Sequence, residues 1–253
     1  MSDTHPLAAR QFGPRASAYV TSAVHAAGED LDALKIFVSG QSFGRVLDLG
    51  CGGGHVSFTT APHAGEVVAY DLSEAMLAAV AAEAGARGLS NLIIQQGKAE
   101  ALPFGDASFD FVATRYSAHH WLDVPAALCE ARRVVKPTGY MMMMDAVAPD
   151  DILCDTFIQS IEMLRDPSHV RDYSVREWYE MLQAAGFAPL ETKRRQIRLD
   201  YQSWIARMQT PPVFADAIRA LMAKMPDTVQ NHFAIEADGS FQLDTASVLA
   251  RCI

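Results

Sequence analysis

Between residues 44 and 146, short apolar runs alternate with stretches of helical length. Val46-Leu47-Asp48-Leu49 predicts a first strand, followed by glycines and a helix-length segment. Residues 66–70 predict a second strand, and Ser73 then caps an alanine-rich helix reaching about Ala86, with Gly88 as its stop signal. Residues 91–95 and 109–113 read as a third and a fourth strand. Asp123 caps a helix that carries Pro125 in its first turn and ends near Lys136-Pro137, and residues 140–145 form a fifth strand. Strands separated by helices of about 10–15 residues make β-α-β units, hence a parallel sheet covered on both faces. Met141 to Met144 lie in the fifth strand. Successive strand side chains point to opposite faces, so the four predict a doubly buried strand and cannot converge on one ion.

The rhythm changes after Pro149. Residues 151–164 read as a helix, Ser174-Val175-Arg176-Glu177 is a capping box opening another, and Gly186 stands where a C′ glycine belongs. Residues 187–199 predict an edge strand, and 201–208 and 213–225 two further helices. Asp238-Gly239, set between Phe233-Ala234-Ile235 and Phe241-Gln242-Leu243, predicts a hairpin. Neither a repeat nor a linker divides the chain, so residues 1–253 read as one domain. A helical appendage (1–43) precedes the core (44–146), and a C-terminal part (147–253) follows it.

Composition narrows the class. Half of the 253 residues are apolar and a fifth charged, which excludes disorder and collagen-like scaffolds and predicts a soluble globular protein. A net charge of −9 argues against nucleic acid as a partner and for a small molecule. Cys51, Cys129, Cys154 and Cys252 form no C-x-x-C pair and too sparse a set for a disulfide framework, so reduced thiols and a cytoplasmic location are expected. The N-terminus lacks the basic and apolar regions of a signal peptide. No apolar run approaches the roughly 18 residues of a membrane span, so stable membrane insertion is not expected. The His, Asp and Glu spacings predict no metal site. Lys193, Arg194, Arg195 and Arg198 form the one basic cluster and read by default as a solvated face, with contact to an anionic substrate or a lipid surface as the alternative. No motif indicates an oligomeric state.

The most informative stretch is Asp48-Leu49-Gly50-Cys51-Gly52-Gly53-Gly54-His55, a strand running into glycines and then a helix. Glycines there permit positive φ and let a ligand approach the backbone. Asp71 ends the next strand, 19 positions beyond Gly52. In doubly wound folds an acidic group at that place accepts from ribose hydroxyls. The dinucleotide fingerprint is G-x-G-x-x-G, serving a pyrophosphate, whereas this loop is G-x-G-x-G with Asp48 before it. A carboxylate in the floor of the loop repels a pyrophosphate and favours a cation. That charge logic favours S-adenosylmethionine, a sulfonium without phosphate, over a dinucleotide.

Residues 46–57, 67–76, 97–104 and 109–121 together resemble the successive motifs of class I S-adenosylmethionine-dependent methyltransferases. The likeness is strongest to the small-molecule branch containing ubiquinone and menaquinone C-methyltransferases. It implies a Rossmann-like, mostly parallel seven-stranded sheet with an antiparallel C-terminal edge hairpin, for which 187–199 and 233–243 are the candidate strands. It implies that Asp48, Gly50, Cys51, Gly52 and Gly54 hold the methionine part of the donor, Asp71 the ribose, and Leu72 and Met76 the adenine. Met76 reads equally as a helix-core residue. Lys98 stands where the family has an Asp that accepts from the adenine amino group, which an ammonium cannot do. The backbone of Ala99 and the carboxylate of Glu100 are the remaining candidates.

In Arg115-Tyr116-Ser117-Ala118-His119-His120-Trp121 the resemblance places Arg115 on the donor, Tyr116 and His119 on the acceptor, and His120 facing the transferring methyl or the acceptor. With an ordinary pKa near 6.5, His120 reads as a general base or, equally, as a positioning residue. Trp121 reads as packing under the next helix, and Asp145 as facing the acceptor or capping a turn. Phe12 and Tyr19 are implied lid aromatics, Tyr19 touching the acceptor. The expected reaction is in-line methyl transfer to a small molecule, leaving S-adenosylhomocysteine. A non-catalytic donor-binding module and an NAD-dependent dehydrogenase are the alternatives.

Overall fold

A computed structural model describes residues 28–253; Phe12, Tyr19 and most of the N-terminal appendage lie outside them. The described chain runs α1 (Glu29–Ser39), β1 (Phe43–Leu49), α2 (His55–Thr60), β2 (Ala64–Asp71), α3 (Glu74–Ala86), β3 (Leu92–Gln96) and β4 (Phe109–Arg115). It continues through α4 (Val124–Val134), β5 (Val135–Ala146), α5 (Ile152–Arg165), α6 (Val175–Ala184), β6 (Phe187–Leu199), α7 (Tyr201–Met208), α8 (Pro212–Met222), α9 (Asp227–His232) and β7 (Phe241–Cys252). The seven strands form one sheet in the order β3-β2-β1-β4-β5-β7-β6. The first five are mutually parallel, and β7 runs antiparallel between β5 and β6. This is the doubly wound, mostly parallel architecture with an antiparallel C-terminal edge that the sequence predicts.

The helix starts follow their capping residues. Ser73 accepts from Met76 N–H, Asp123 from Ala126 N–H, and Ser174 with Glu177 closes a reciprocal capping box. On α4, Val124, Ala127, Leu128, Ala131 and Val134 recur at helical spacing and pack with α6 on one face of the sheet. The other face is covered by α1 and α2, and by α3 against Ala69. The methionine run divides as its parity requires: Met141 and Met143 belong to the first core, Met142 and Met144 to the second. A separate apolar cluster joins α5, α7, α8 and α9 around Phe157, Trp204, Phe233 and Phe241, and reaches Ala146 at the end of β5.

One expectation fails. The strand placed at 233–243 lies at Phe241–Cys252, and Asp238-Gly239 turns the chain without joining two strands. Gln242 N–H does bond Phe233 O (2.7 Å) and Glu236 N–H bonds Ser240 O (2.8 Å), so the turn is real. Its first arm is the exit of α9, because Phe233 is fully buried in the helical cluster. The long buried stretch from Thr245 to Cys252 pairs on both sides instead.

Candidate active site

A cleft of about 440 Å³ opens at the carboxyl ends of β1, β2 and β4. That is within the usual size of a small-molecule site. At one end lies the glycine loop. Gly50 and Cys51 N–H both donate to Tyr70 O (2.8 and 2.9 Å), tying the loop to β2. Gly50 has φ +72°, and a Cβ there would run into the Ser117 hydroxyl. Gly52 has φ +48° and faces open space where a side chain would otherwise stand. Its N–H donates to Asp71 Oδ2 (2.8 Å), while Oδ1 of the same carboxylate takes the Ser73 N–H (2.8 Å). Burial raises the Asp71 pKa against these amide bonds, and further lone pairs remain on a carboxylate so placed. Leu72, Met76, Lys98, Ala99 and Glu100 continue the wall. Met76 is 2% exposed, so it serves core and cleft together.

Three expected donor contacts are not on this wall: Asp48, Cys51 and Gly54. Asp48 sits behind the loop, accepting from Ser57 N–H (2.9 Å) and Ser57 Oγ–H (2.6 Å), and so fastens α2 to β1. Burial pushes its pKa up to about 7, and the carboxylates on the wall itself are others, Asp71 and Glu100 among them. Gly54 (φ +79°) is a glycine for packing, since a Cβ would meet Val80 and Phe58 at 2.9–3.1 Å. Cys51 is buried among the α3 core residues.

Arg115, expected on the donor, lines the cleft but is engaged by Asp30, with Nε–Oδ2 at 2.5 Å and Nη2–Oδ1 at 3.2 Å. This pair joins the end of β4 to the first turn of α1, whose Glu29 and Asp30 also line the cleft. Tyr116 follows with φ +47°, rare for a bulky side chain, and its N–H bonds Met144 O (2.9 Å). Such strain persists where surrounding structure imposes it, commonly at functional sites.

Beyond Tyr116 the cleft becomes a polar chamber. His119 Nδ1 lies 2.6 Å from Asp145 Oδ1, whose other oxygen takes the Ala118 N–H (3.0 Å). Asp145 is 2% exposed and is not on the cleft wall; it holds His119, which is. Burial lowers the His119 pKa, but the charge and hydrogen bond of Asp145 outweigh it, with Asp172 and Glu162 adding, and raise it to about 9. His120 lines the cleft as expected, yet burial and the neighbouring His119 charge bring its pKa down to about 3, far from 6.5. Its Nδ1 lies 3.1 Å from Ser168 O, which places the ring hydrogen on Nδ1 and the lone pair on Nε2. His169, pushed down to about 2 by burial and neighbouring cations, bonds Gln159 through Nε2 (3.0 Å).

Several wall residues escaped the sequence reading: Glu162, Arg165, Asp166, His169, Asp172, Trp204 and Met208. The density of ionisable residues in Asp166-Pro167-Ser168-His169-Val170-Arg171-Asp172 was the available signal. The basic cluster also differs from expectation. Arg195 and Arg198 line the cleft mouth, bound to Glu29 (3.2 Å) and Glu236 (2.6 Å) rather than simply solvated. Trp121, placed under a helix, is in the core and also on the wall.

The His119–Asp145 pair predicts a pH signature. A folded pKa raised above the unfolded one adds stability that is complete below about 6.5 and lost as pH rises through about 9. Asp145→Asn is expected to abolish this fall in urea unfolding midpoint between pH 6.5 and 9.5, an effect on the order of 2–3 kcal/mol. An unchanged pH slope in the variant contradicts the pairing.

Comparison with known proteins agrees with this geometry. Residues 47–143 match the family described as a methyltransferase domain. The chain is 43% identical to YafE of Escherichia coli over 77% of its own length and 94% of that protein. It is 36% identical to the uncharacterized methyltransferase YcgJ of Bacillus subtilis, covering 91% of this chain and 88% of that one. The crystal structure of YcgJ superposes with a TM-score of 0.84 at 33% identity, over 88% of this chain and 97% of that chain. With a family match over the core and relatives alike over most of both chains, the chain belongs to the S-adenosylmethionine-dependent methyltransferase family.

Proposed function

We propose that this enzyme moves the methyl group of S-adenosylmethionine to a small-molecule acceptor by in-line displacement. The observation carrying this reading is that one cleft is lined both by Gly52 and Asp71 and by His119, His120 and Asp172. The open space at Gly52 and the acceptor-rich Asp71 carboxylate suit an adenosine donor, with Leu72 and Met76 against the base and Glu100 toward its amino group. The donor, when bound, supplies an electrophilic sulfonium methyl whose leaving group needs no acid. The chain's own task is alignment and exclusion of water, which is proximity catalysis.

In this reading His120 is a positioning residue on the wall that shapes the acceptor's place. With its pKa near 3 it is neutral at pH 7 and only a weak base. His119, held charged by Asp145, is suited to donate a hydrogen bond that orients a lone-pair-bearing group of the acceptor. Phe12 and Tyr19 remain proposed lid residues, outside the described part. Equilibrium dialysis with radiolabelled S-adenosylmethionine and S-adenosylhomocysteine tests the core of the reading. Retention of both at micromolar concentration is expected, and no retention by folded protein overturns it.

Lys98→Asp gives a finer check. An acceptor at this wall position replaces three donors, so donor affinity is expected to hold or to tighten. A calorimetric titration showing marked weakening contradicts the adenine placement.

A further inference from the structure

We propose that Asp172 anchors the acceptor by receiving a hydrogen from its hydroxyl or amino group, so that the acceptor is a protic head on an apolar body. The proposal rests on the methyl-transfer reading for the word acceptor, and on the following geometry for the rest. Asp172 is 2% exposed, lines the cleft, and neither carboxylate oxygen has a hydrogen-bond partner among the described residues. Of the six buried side-chain atoms so orphaned there, Asp172 supplies two and Asp166, on the same wall, a third. A buried carboxylate without a partner is costly, and native proteins keep one chiefly where function uses it.

Among the described residues, the groups around Asp172 are already engaged. Its N–H donates to Gln159 Oε1 (3.0 Å) and its carbonyl takes the Gln159 amide (2.7 Å). Two residues earlier, Val170 N–H is held by His119 O (2.8 Å). The charged groups acting on Asp172 are His119, Glu162, Asp145 and Arg165. His119 is committed to Asp145 and Arg165 to Glu162 (2.8 Å). Burial accordingly holds the Asp172 pKa up to about 7, near neutrality, where a carboxylate accepts a proton or a hydrogen bond readily. The cluster formed by Leu199, Trp204 and Leu243 supplies the apolar part of the wall.

Asp172→Asn separates this role from a structural one. At pH 8 the free variant is expected to melt higher than wild type by about 3–8 °C, because a desolvated charge is removed; a lower melting temperature overturns the proposal. With S-adenosylhomocysteine present, 1-naphthol and 1-methoxynaphthalene are titrated calorimetrically as a matched pair that differs in the hydroxyl hydrogen. Wild type is expected to favour 1-naphthol at least about tenfold, and Asp172→Asn to lose the preference. No preference in wild type, including no binding of either, or a preference that survives in the variant, overturns it. S-adenosylhomocysteine titrated alone reports separately on the donor: no binding by wild type sinks the methyl-transfer reading, and Asp172 is then decided by melting and by the same pair without it.

Discussion

Asp71→Ala is expected to weaken S-adenosylhomocysteine binding by on the order of 100-fold. The carboxylate does two things at once. It fixes the Gly52 amide at 2.8 Å and the Ser73 amide at 2.8 Å, which sets the loop and the start of α3, and it presents its remaining lone pairs to the cleft. Each hydrogen bond to a charged group contributes roughly 1.5–3 kcal/mol, and about 1.4 kcal/mol is tenfold in affinity. Two such bonds to a ribose, each at the lower figure of about 1.5 kcal/mol, give the stated factor. Asp71→Asn keeps one acceptor oxygen and should fall between, near tenfold. Melting should move much less than binding, because the freed amides border a cleft that water reaches. Wild-type affinity in Asp71→Ala, measured by calorimetry, would mean that the ligand does not contact this carboxylate.

The parallel half of the sheet was legible because each of its strands is a compact apolar run between helices with their own caps. The last strand was not, since Phe233-Ala234-Ile235 and Phe241-Gln242-Leu243 make a good local hairpin pattern while Phe233 is needed by the helical cluster. Tertiary packing overrode a local signal. The glycine loop was readable for a similar reason: Gly50, Gly52 and Asp71 are placed by two adjacent parallel strands, Asp48 opposite Ala69 and Leu49 opposite Tyr70.

Side-chain direction was harder to read than position. Asp48 shares strand parity with Val46, which packs on the α1 and α2 face, so its carboxylate points under α2 toward Ser57. Asp145 likewise stops one step short of the cleft and acts through His119. The chamber itself combines residues 115–120, 162–172 and 195–208, segments far apart in the chain, and no spacing rule joins them. The His120 pKa could not be read either, because it depends on burial and on a charge that Asp145 maintains on the preceding residue, His119.

Arg115→Ala is expected to destabilise the protein by about 3–5 kcal/mol, the usual result of leaving one member of a buried ion pair without its partner. The Arg115 and Asp30 side chains are only 6% and 12% exposed, and the guanidinium also lies 4.8 Å from the Tyr116 ring centroid. At about 2–4 °C per kcal/mol for a chain of this size, the melting temperature should fall by on the order of 10 °C. Asp30→Ala should cost a comparable amount, leaving a buried guanidinium, and the double variant should recover part of the loss in a mutant cycle. The pair also joins α1 to the end of β4, so hydrogen exchange in Glu29–Ser39 should accelerate before the rest of the chain. Because Glu29 and Asp30 form part of the cleft wall, donor affinity should weaken in step with that exchange. Single variants that melt with the wild type, with unchanged exchange in α1, would show that α1 is held by its apolar face of Leu31, Leu34 and Val38 alone.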